Sequence, residues 1–131
     1  MLPPTVCISI VTFNSSRYIR RCLNAAMAQK GIRATIVVVD NASADGTAAI
    51  LREFGSRIQV IWNRGNVGFA EAQNQGIRAS RAEWVLTLNP DLLMEEDFVS
   101  RLVDAGELDR GAGAVCGKLL SIGKEIGRAH V

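Results

Sequence analysis

The stretch ATIVVVDNASADGT, residues 34–47, opens as an apolar run rich in β-branched residues and closes as a polar segment. Such a run, apolar on both faces, is typical of a parallel strand buried in the middle of a sheet. Ile50, Leu51 and Phe54 then recur at helical spacing, and Gly55 supplies a stop signal. The stretch therefore predicts a strand followed directly by a helix, which is part of a βαβ unit.

Three other apolar runs predict strands of the same kind: VCISIVTF at 6–13, RIQVIWN at 57–63 and EWVLTLN at 83–89. Helical patterns lie between them. The first runs from Tyr18 to Met27, after a Ser15-Ser16 cap signal and before a stop at Gly31, and another covers GFAEAQNQGIRAS. Strands that alternate with helices predict an α/β fold with a doubly wound, mostly parallel sheet flanked by helices.

Length and composition narrow the class of protein. With 131 residues, 48% of them hydrophobic and 21% charged, the chain has the composition of one globular domain, and no apolar run approaches the ~20 residues of a membrane span. The 15 basic and 13 acidic residues are scattered together along the sequence, so no basic stripe indicates nucleic acid as a partner. Cys7, Cys22 and Cys116 lie far apart among apolar neighbours, which predicts reduced thiols in a cytoplasm.

Polar residues cluster where the predicted strands end. In open α/β sheets, ligands bind just beyond the carboxyl ends of the strands. The four clusters are Thr12-Phe13-Asn14, Asp40-Asn41, Asn63 to Gly68, and Asn89-Pro90-Asp91. Polar loops follow strands in every α/β protein, but four clusters on one predicted edge indicate a cleft.

The segment after residue 39 combines a candidate ligand with a helix start. Asp40 closes a buried strand, and such a carboxylate needs a partner; because the sequence shows no obvious one, we interpret Asp40 as functional. For Ser43, Asp45, Gly46 and Thr47, the spacing favours capping of the next helix.

Two interpretations stay open for NRGNVGFAEAQNQGI, residues 63–77. Asn66 and Gly68 precede a predicted helix, whose free N–H groups and dipole favour an anion such as a diphosphate. The glycines could instead only shape a turn, and Asn74 could be an ordinary polar residue on a helix face.

The Asn89-Pro90-Asp91 segment is equally ambiguous. One carboxylate and one amide oxygen suit Mg²⁺, which commonly takes one or two carboxylates together with substrate phosphates and water. Asn-Pro-Asp is also a good turn former, in which Pro90 fixes φ and Asp91 caps the helix that carries Phe98 and Leu102. Residue chemistry alone slightly favours the turn.

The segments VTFNSSRYIRRCLNAA, VVVDNASADGT, NVGFAEAQNQGI and WVLTLNPD, in this order, resemble family 2 glycosyltransferases, which have the GT-A nucleotide-sugar-binding fold. Within that family they look most like rhamnosyltransferase-type members of bacterial polysaccharide synthesis. The resemblance runs from about Val6 to about Leu119. It is specific for the family and much less specific for the substrate.

The resemblance implies roles for individual residues. Thr12 to Asn14 would pack around the nucleobase, Asp40 would bind the base, and Asn66 to Phe69 with Asn74 would line the nucleotide pocket. Asn89-Pro90-Asp91 stands where the family has Asp-x-Asp. Because the first acid is replaced, only Asp91 is expected to bind Mg²⁺ or Mn²⁺, and Asn89 only a ribose or sugar hydroxyl. The expected substrate-binding residues are Thr12, Phe13, Asn14, Asp40, Asn41, Ser43, Asn66, Gly68, Phe69, Asn74, Asn89 and Asp91.

The resemblance also implies a reaction. It predicts an inverting, metal-dependent transfer from a UDP- or dTDP-sugar, with dTDP-rhamnose as one candidate, to a glycan or lipid-linked acceptor in cell-surface polysaccharide synthesis. The enzyme would be cytoplasmic or peripheral to the inner face of the membrane. A non-catalytic nucleotide-binding module is an alternative. A sugar-nucleotide pyrophosphorylase is another, but it needs a glycine-rich loop after strand one, and TFNSSRY has no glycine.

The resemblance also predicts how the chain is divided. Residues 1–125 are expected to be the nucleotide-sugar-binding part of a truncated GT-A domain. The family's acceptor-binding half and catalytic base lie beyond the matched region, so no catalytic residue is assigned and the fragment is expected to be inactive. Residues 126–131, IGRAHV, do not resemble the family, and one reverse translation coincides with a sequencing adapter. We expect a non-native tail there, which includes His130.

Overall fold

The chain alternates strands and helices as the sequence predicts. The computed structural model describes residues 2–109, 111–117, 120–121 and 124–125. Its elements are β1 (Thr5–Thr12), α1 (Ile19–Met27), β2 (Arg33–Asp40), α2 (Thr47–Glu53), β3 (Gln59–Trp62), α3 (Phe69–Arg78), β4 (Trp84–Leu88) and α4 (Phe98–Leu108). A 3-10 turn, Gly55–Arg57, connects α2 to β3, and β5 (Leu120–Ser121) pairs antiparallel with β6 (Lys124–Glu125). The expected tail, 126–131, lies outside the described residues.

The four longer strands form one parallel sheet in the order β3-β2-β1-β4. The register pairs Thr12 with Asp40 and Asp40 with Trp62, so β1, β2 and β3 end level with one another. Strand β4 ends with Leu88 opposite Ile10. All four strands therefore point their carboxyl ends at the same edge, called the carboxyl edge below, where the sequence predicts a cleft.

Helices cover both faces of β1 and of the carboxyl half of β2, which explains why these strand sequences are mostly apolar. On one face, α1, α2 and α4 bury the side chains of Val6, Ile8, Ile10, Ile36 and Val38. On the other face, α3 packs over Cys7, Val11, Val37 and Val39. Every helix in the described part of the chain is too short or too polar to span a bilayer.

Gly76 brings α3 very close to the sheet. A Cβ at this position would lie 2.0 Å from Ser9 Oγ on β1. Only a residue without a side chain fits between the helix and the buried serine, so this glycine fixes the distance between α3 and the sheet.

The helix starts differ in part from the prediction. Ser15 and Ser16 do not cap α1 with their side chains. Instead the Ser15 carbonyl accepts the N–H groups of Tyr18 and Ile19, both at 3.0 Å, and the Ser15 hydroxyl donates to the carbonyl of Phe13 at 3.2 Å. The Ser15 hydroxyl is therefore bonded within the turn after β1 and not to the N–H groups of α1.

Candidate functional site

Asp40 lies at the centre of a polar cluster at the carboxyl edge. It is only 3% exposed. Its Oδ1 accepts hydrogen bonds from the hydroxyls of Thr12 and Ser43, each at 2.7 Å, and its Oδ2 accepts the N–H of Ser43 at 3.0 Å. The expectation that Asp40 lacks a partner is therefore wrong. The parallel register brings Thr12 opposite Asp40, and no local sequence pattern shows that pairing.

These bonds leave Asp40 limited capacity for a ligand. An ionised carboxylate has roughly four positions that accept hydrogen bonds, and three are filled. The remaining position belongs to Oδ2, which has only the N–H of Ser43. The geometry suits one additional N–H or O–H donor from a ligand.

Thr12 and Ser43 act on Asp40 in the structure. Thr12 is fully buried and Ser43 is half-buried, and both hydroxyls donate to the carboxylate. The spacing predicts Ser43 as part of the cap of α2. In the structure its hydroxyl is directed at Asp40, three residues before it, and does not reach α2. Direct contact of either hydroxyl with a substrate stays a prediction; what the geometry shows is that they hold the carboxylate.

The loops after β1 and β2 are tied together. The N–H of Asn14 donates to Ser43 Oγ at 2.9 Å, and Asn14 Oδ1 accepts the N–H of Ala44 at 2.8 Å. Asn14 and Ala42 both have positive φ, 49° and 60°. Residues other than glycine rarely adopt that conformation, and strain of this kind persists only where surrounding contacts enforce it.

Asp45 joins the two loops at the start of α2. Its Oδ1 accepts the N–H of Thr47, the first residue of α2, at 2.9 Å, and its Oδ2 accepts the N–H of Ser16 at 3.2 Å. The N-cap residue itself is Gly46, which has no side chain, so the predicted side-chain cap of α2 is not formed. Thr47 Oγ1 in turn accepts the N–H of Ser15 at 2.8 Å. Desolvation opposes the shift, but the hydrogen bonds from Thr47 and Ser16 lower the pKa of Asp45 to about 2.

Phe13 is an aromatic side chain at the mouth of this cluster. It follows Thr12 directly and is 50% exposed, which is unusual for a large apolar residue beside a buried strand. Its ring is available to stack on a planar ligand that reaches Asp40.

Asn41 fixes the loop that leads from β3 to α3. It is buried, and its Nδ2 donates to the carbonyl of Gly68 at 3.1 Å. Its Oδ1 accepts Asn63 Nδ2 at 3.0 Å and the N–H of Val67 at 3.4 Å. Asn63 and Gln75 exchange two further amide hydrogen bonds, at 2.8 and 3.0 Å. Both polar atoms of the side chain of the predicted ligand Asn41 are thus hydrogen-bonded inside the protein.

The start of α3 has features of both interpretations, a turn and a helix N-terminus that could bind an anion. Asn66 Oδ1 accepts the N–H of Gly68 at 2.8 Å, and Gly68 has φ 87°, so the segment is a tight turn. The first turn of α3 lies at the carboxyl edge because α3 follows the end of β3, and its N–H groups have no acceptors within the helix. Glu71 in that first turn opposes an anion there. Phe69 and Asn74 are exposed on α3, and Asn74 makes no side-chain hydrogen bond with the described residues.

Asn89-Pro90-Asp91 forms the turn that residue chemistry favours. The N–H of Leu92 donates to the carbonyl of Asn89 at 3.2 Å. Asp91 does not cap α4, which begins at Phe98 after Asp97. The side chains of Asn89 and Asp91 are both exposed.

Helix α1 lies directly beneath this turn. Cys22 Sγ is 3.9 Å from the Asn89 carbonyl oxygen. Burial, and then the nearby charge of Asp91, raise the pKa of Cys22 to about 12. Asp91 therefore lies near α1, the helix that follows the loop after β1.

The donor set at this turn fits a divalent cation that arrives with a ligand. Among the residues that the structure describes, no three His, Cys, Asp or Glu side chains come together as a ligand cluster. One exposed carboxylate with a neighbouring amide oxygen matches Mg²⁺ sites in which phosphate and water supply the other ligands. Asp91 would be the protein ligand of such an ion.

The model of the family "Glycosyl transferase family 2" matches residues 7–131. The chain belongs to glycosyltransferase family 2. Among curated relatives, it is 32% identical over 105 residues to the succinoglycan biosynthesis protein ExoO of Rhizobium meliloti, and 29% identical over 106 residues to the putative glycosyltransferase EpsH of Bacillus subtilis. Each match covers 79% of this chain and 30% of the relative, so the chain spans about a third of the length of these family members.

Solved structures show the fold. S. aureus TarS 1–349 in complex with UDP superposes with a TM-score of 0.80 at 19% identity, over 95% of this chain and 38% of TarS. The mannosyltransferase PcManGT from Pyrobaculum calidifontis, in complex with GDP-Man and Mn²⁺, gives 0.75 at 24% identity, over 90% of this chain and 36% of that one. The predicted GT-A fold is confirmed.

Gln75 is the site residue that the sequence interpretation did not identify. It carries no signal, because a glutamine in a helix of this composition is ordinarily a surface residue. Asn63 was placed in the polar cluster after β3, but its pairing with Gln75 was not predicted.

Proposed function

We propose that this chain forms the donor-binding part of an inverting, metal-dependent glycosyltransferase that uses a UDP- or dTDP-sugar. The observation that carries the proposal is the Asp40 carboxylate, which is held by Thr12 and Ser43 with one accepting position open, beside the exposed ring of Phe13. Membership of glycosyltransferase family 2 supports the reaction class.

The open position on Asp40 favours uracil or thymine over guanine. Uracil and thymine present a single N–H between two carbonyl groups. Guanine presents an N–H and an amino group side by side, and a carboxylate binds that pair best with both oxygens open. Oδ1 of Asp40 already accepts two hydroxyls, so only the single donor of a uracil or thymine ring is well matched.

Asp91 is the proposed contact to the donor's diphosphate, through Mg²⁺ or Mn²⁺. Such a cation, when bound, neutralises the departing diphosphate as a Lewis acid. Asp91 would hold it at the end of β4, and Asn89 would offer its amide to a ribose or sugar hydroxyl. The complex of PcManGT with GDP-Man and Mn²⁺ supports a cation in this fold.

The acceptor is proposed to be a glycan or a lipid-linked sugar in cell-surface polysaccharide synthesis, at the cytoplasmic face of the membrane. The succinoglycan biosynthesis protein among the relatives supports a polysaccharide product. The resemblance to rhamnosyltransferases makes dTDP-rhamnose the first donor to test. No catalytic base is assigned to this chain.

A thermal-shift experiment with Asp40→Ala and Asp91→Ala tests the two roles separately. Asp40→Ala is expected to abolish the shifts with uridine and with UDP, because both need the base contact. Asp91→Ala is expected to keep the metal-free uridine shift and to lose only the Mn²⁺-dependent part of the UDP shift. Ligand at a hundred times its dissociation constant stabilises by about 2.7 kcal/mol, which such melts resolve.

Asp104→Ala, which removes an exposed carboxylate from α4, is the matched control and should leave every shift intact. Each variant is compared with its own unliganded melting temperature, because Asp40→Ala also removes a buried hydrogen-bonded group. Unchanged shifts in Asp40→Ala would exclude the nucleobase assignment. A full Mn²⁺-dependent shift in Asp91→Ala would make the Asn-Pro-Asp segment a turn only. Shifts with none of uridine, UDP or dTDP would contradict the proposed donor site.

A further inference from the structure

The outer surface of α1 and α2 gathers arginines that are dispersed in the sequence. Its exposed members are Arg17, Arg20, Arg21, Arg52 and Arg57. We call this surface, together with Tyr18 and Trp62, the basic α1–α2 face. Arg17 lies in the turn that precedes α1, and Arg20 and Arg21 lie in the first turn of the helix. The sequence mixes basic and acidic residues, and the fold brings these arginines onto neighbouring elements.

Few acidic residues accompany these arginines in the segment that forms α1 and α2. Within residues 17–57, all of which the structure describes, the acidic residues are Asp40, Asp45 and Glu53, and Asp40 is buried. Glu53 pairs with Arg20 across the two helices. The other four arginines of the face make no ion pair with the described residues.

Aromatic rings and backbone carbonyls hold those four guanidinium groups in place. Arg17 and Arg21 lie 5.4 and 5.9 Å from the centre of the Tyr18 ring. Arg52 lies 4.9 Å from the centre of the Trp62 ring, which is 44% exposed at the end of β3. Arg57 donates to the carbonyls of Phe54 and Glu53. None of these contacts neutralises the positive charge, so the face keeps it.

The first and second parts of the sequence differ in net charge. Residues 1–57 hold seven basic and three acidic residues, and residues 58–131 hold eight and ten, so net charges of +4 and −2 make up the overall +2. The excess of positive charge therefore lies in the segment that carries the face, and such an excess favours a partner of the opposite sign.

We propose that the basic α1–α2 face docks on an anionic phospholipid bilayer. Arginines next to amphipathic aromatic rings are the combination that suits the lipid–water boundary, where the charged groups meet headgroup phosphates and the rings lie at headgroup level. Helix α1 follows the loop that carries Phe13 and Asn14, so a docked face puts the candidate site beside the lipid surface. The inference rests on the proposed function in one respect: a site beside the lipid surface would receive a lipid-linked acceptor.

Vesicle binding by the 131-residue chain tests the inference without any donor or acceptor. The probe is a flotation assay with phosphatidylcholine vesicles that contain about a quarter phosphatidylglycerol, against pure phosphatidylcholine. The wild-type chain should bind the anionic vesicles at low salt and release them as salt screens the charges. One arginine near an anionic surface contributes about 1 kcal/mol, so Arg17→Gln with Arg21→Gln should weaken binding about 25-fold.

The matched control removes two arginines elsewhere. Arg78→Gln with Arg101→Gln makes the same change in net charge on α3 and α4, outside the face, and it should leave vesicle binding within about twofold of wild type. Trp62 provides a local signal: its emission should shift to the blue on docking, and the shift should persist in Trp84→Phe and vanish in Trp62→Phe.

Several results would overturn the inference. These are equal binding to neutral vesicles, equal loss in the control pair, or full binding by the Arg17→Gln, Arg21→Gln chain. Tighter binding of an RNA oligonucleotide than of anionic vesicles, or a dimer that the same two substitutions dissolve, would assign the face to another partner. Circular dichroism melts confirm that both pairs of substitutions fold. Failure here leaves the uridine and UDP shifts untouched, so the two proposals fail independently.

Discussion

Thr12→Val removes one hydroxyl from the centre of the candidate site and leaves the shape of the side chain. Thr12 is fully buried, and its hydroxyl donates to Asp40 Oδ1 at 2.7 Å. Valine keeps the branched shape, so the substitution creates no cavity and is compatible with β1. The effect therefore isolates a single hydrogen bond to a buried carboxylate.

The magnitude follows from that bond. Hydrogen bonds to charged groups contribute about 1.5–3 kcal/mol, and a buried acceptor that loses its donor carries the desolvation penalty. The hydroxyl and N–H of Ser43 remain, so the carboxylate is not left without partners, and we expect a loss near the middle of that range. For a domain of this size, about 2 kcal/mol lowers the melting temperature by roughly 6–10 °C.

Two measurements test the expectation. A thermal melt of Thr12→Val should show the lowered midpoint, and the uridine shift should decrease because Asp40 is held less firmly. Thr35→Val is the control: Thr35 is exposed on β2, makes no side-chain hydrogen bond with the described residues, and should change stability by at most ~0.5 kcal/mol. If Thr12→Val melts with the wild type, the hydroxyl does not hold Asp40 and the reasoning fails.

Two other substitutions test the packing and the loop contacts. Gly76→Ala should destabilise the chain by roughly 1–3 kcal/mol in a urea titration, because its Cβ would lie 2.0 Å from Ser9 Oγ. The control, Gly65→Ala, has open space around it and should be nearly neutral. Equal effects of the two substitutions would contradict the close approach of α3. Asp45→Asn tests pH dependence. Because the folded pKa of Asp45 is lowered to about 2, its contribution is present above the unfolded value of about 3.9 and is lost as pH falls through 2. The wild-type advantage over Asp45→Asn should therefore shrink between about pH 4 and pH 2, and a constant difference would argue against the Thr47 and Ser16 bonds.

The fold was predictable from sequence because burial on both faces leaves a continuous signal. Every residue of β1 from Val6 to Thr12 is buried, so the strand is mostly apolar and does not alternate as a surface strand does. The glycines that end the helices were also predictable from the sequence. Gly31 and Gly55 have φ values of 77° and 55°, which other residues rarely adopt.

The partners inside the site were not predictable, because they come from register and not from local pattern. Thr12 and Asp40 are 28 residues apart, and only the pairing of β1 with β2 makes them neighbours. The same holds for Asn63 and Gln75, which meet because α3 turns back over the sheet. The basic α1–α2 face has the same origin, since Arg20 and Arg52 are brought together only by the packing of two helices.

The Asn89-Pro90-Asp91 segment shows that a turn and a ligand site are compatible at a strand end. Strand β4 ends at Leu88 opposite Ile10, two residues short of the level at which Thr12 and Asp40 meet. The turn closed by Leu92 carries the chain over that gap, and Pro90 restricts its backbone while the side chain of Asp91 stays in solvent. Contact with Cys22 of α1 supports the turn from below. A rigid turn of this kind presents a carboxylate to a cation more precisely than a flexible loop does, so the turn geometry supports the proposed role of Asp91.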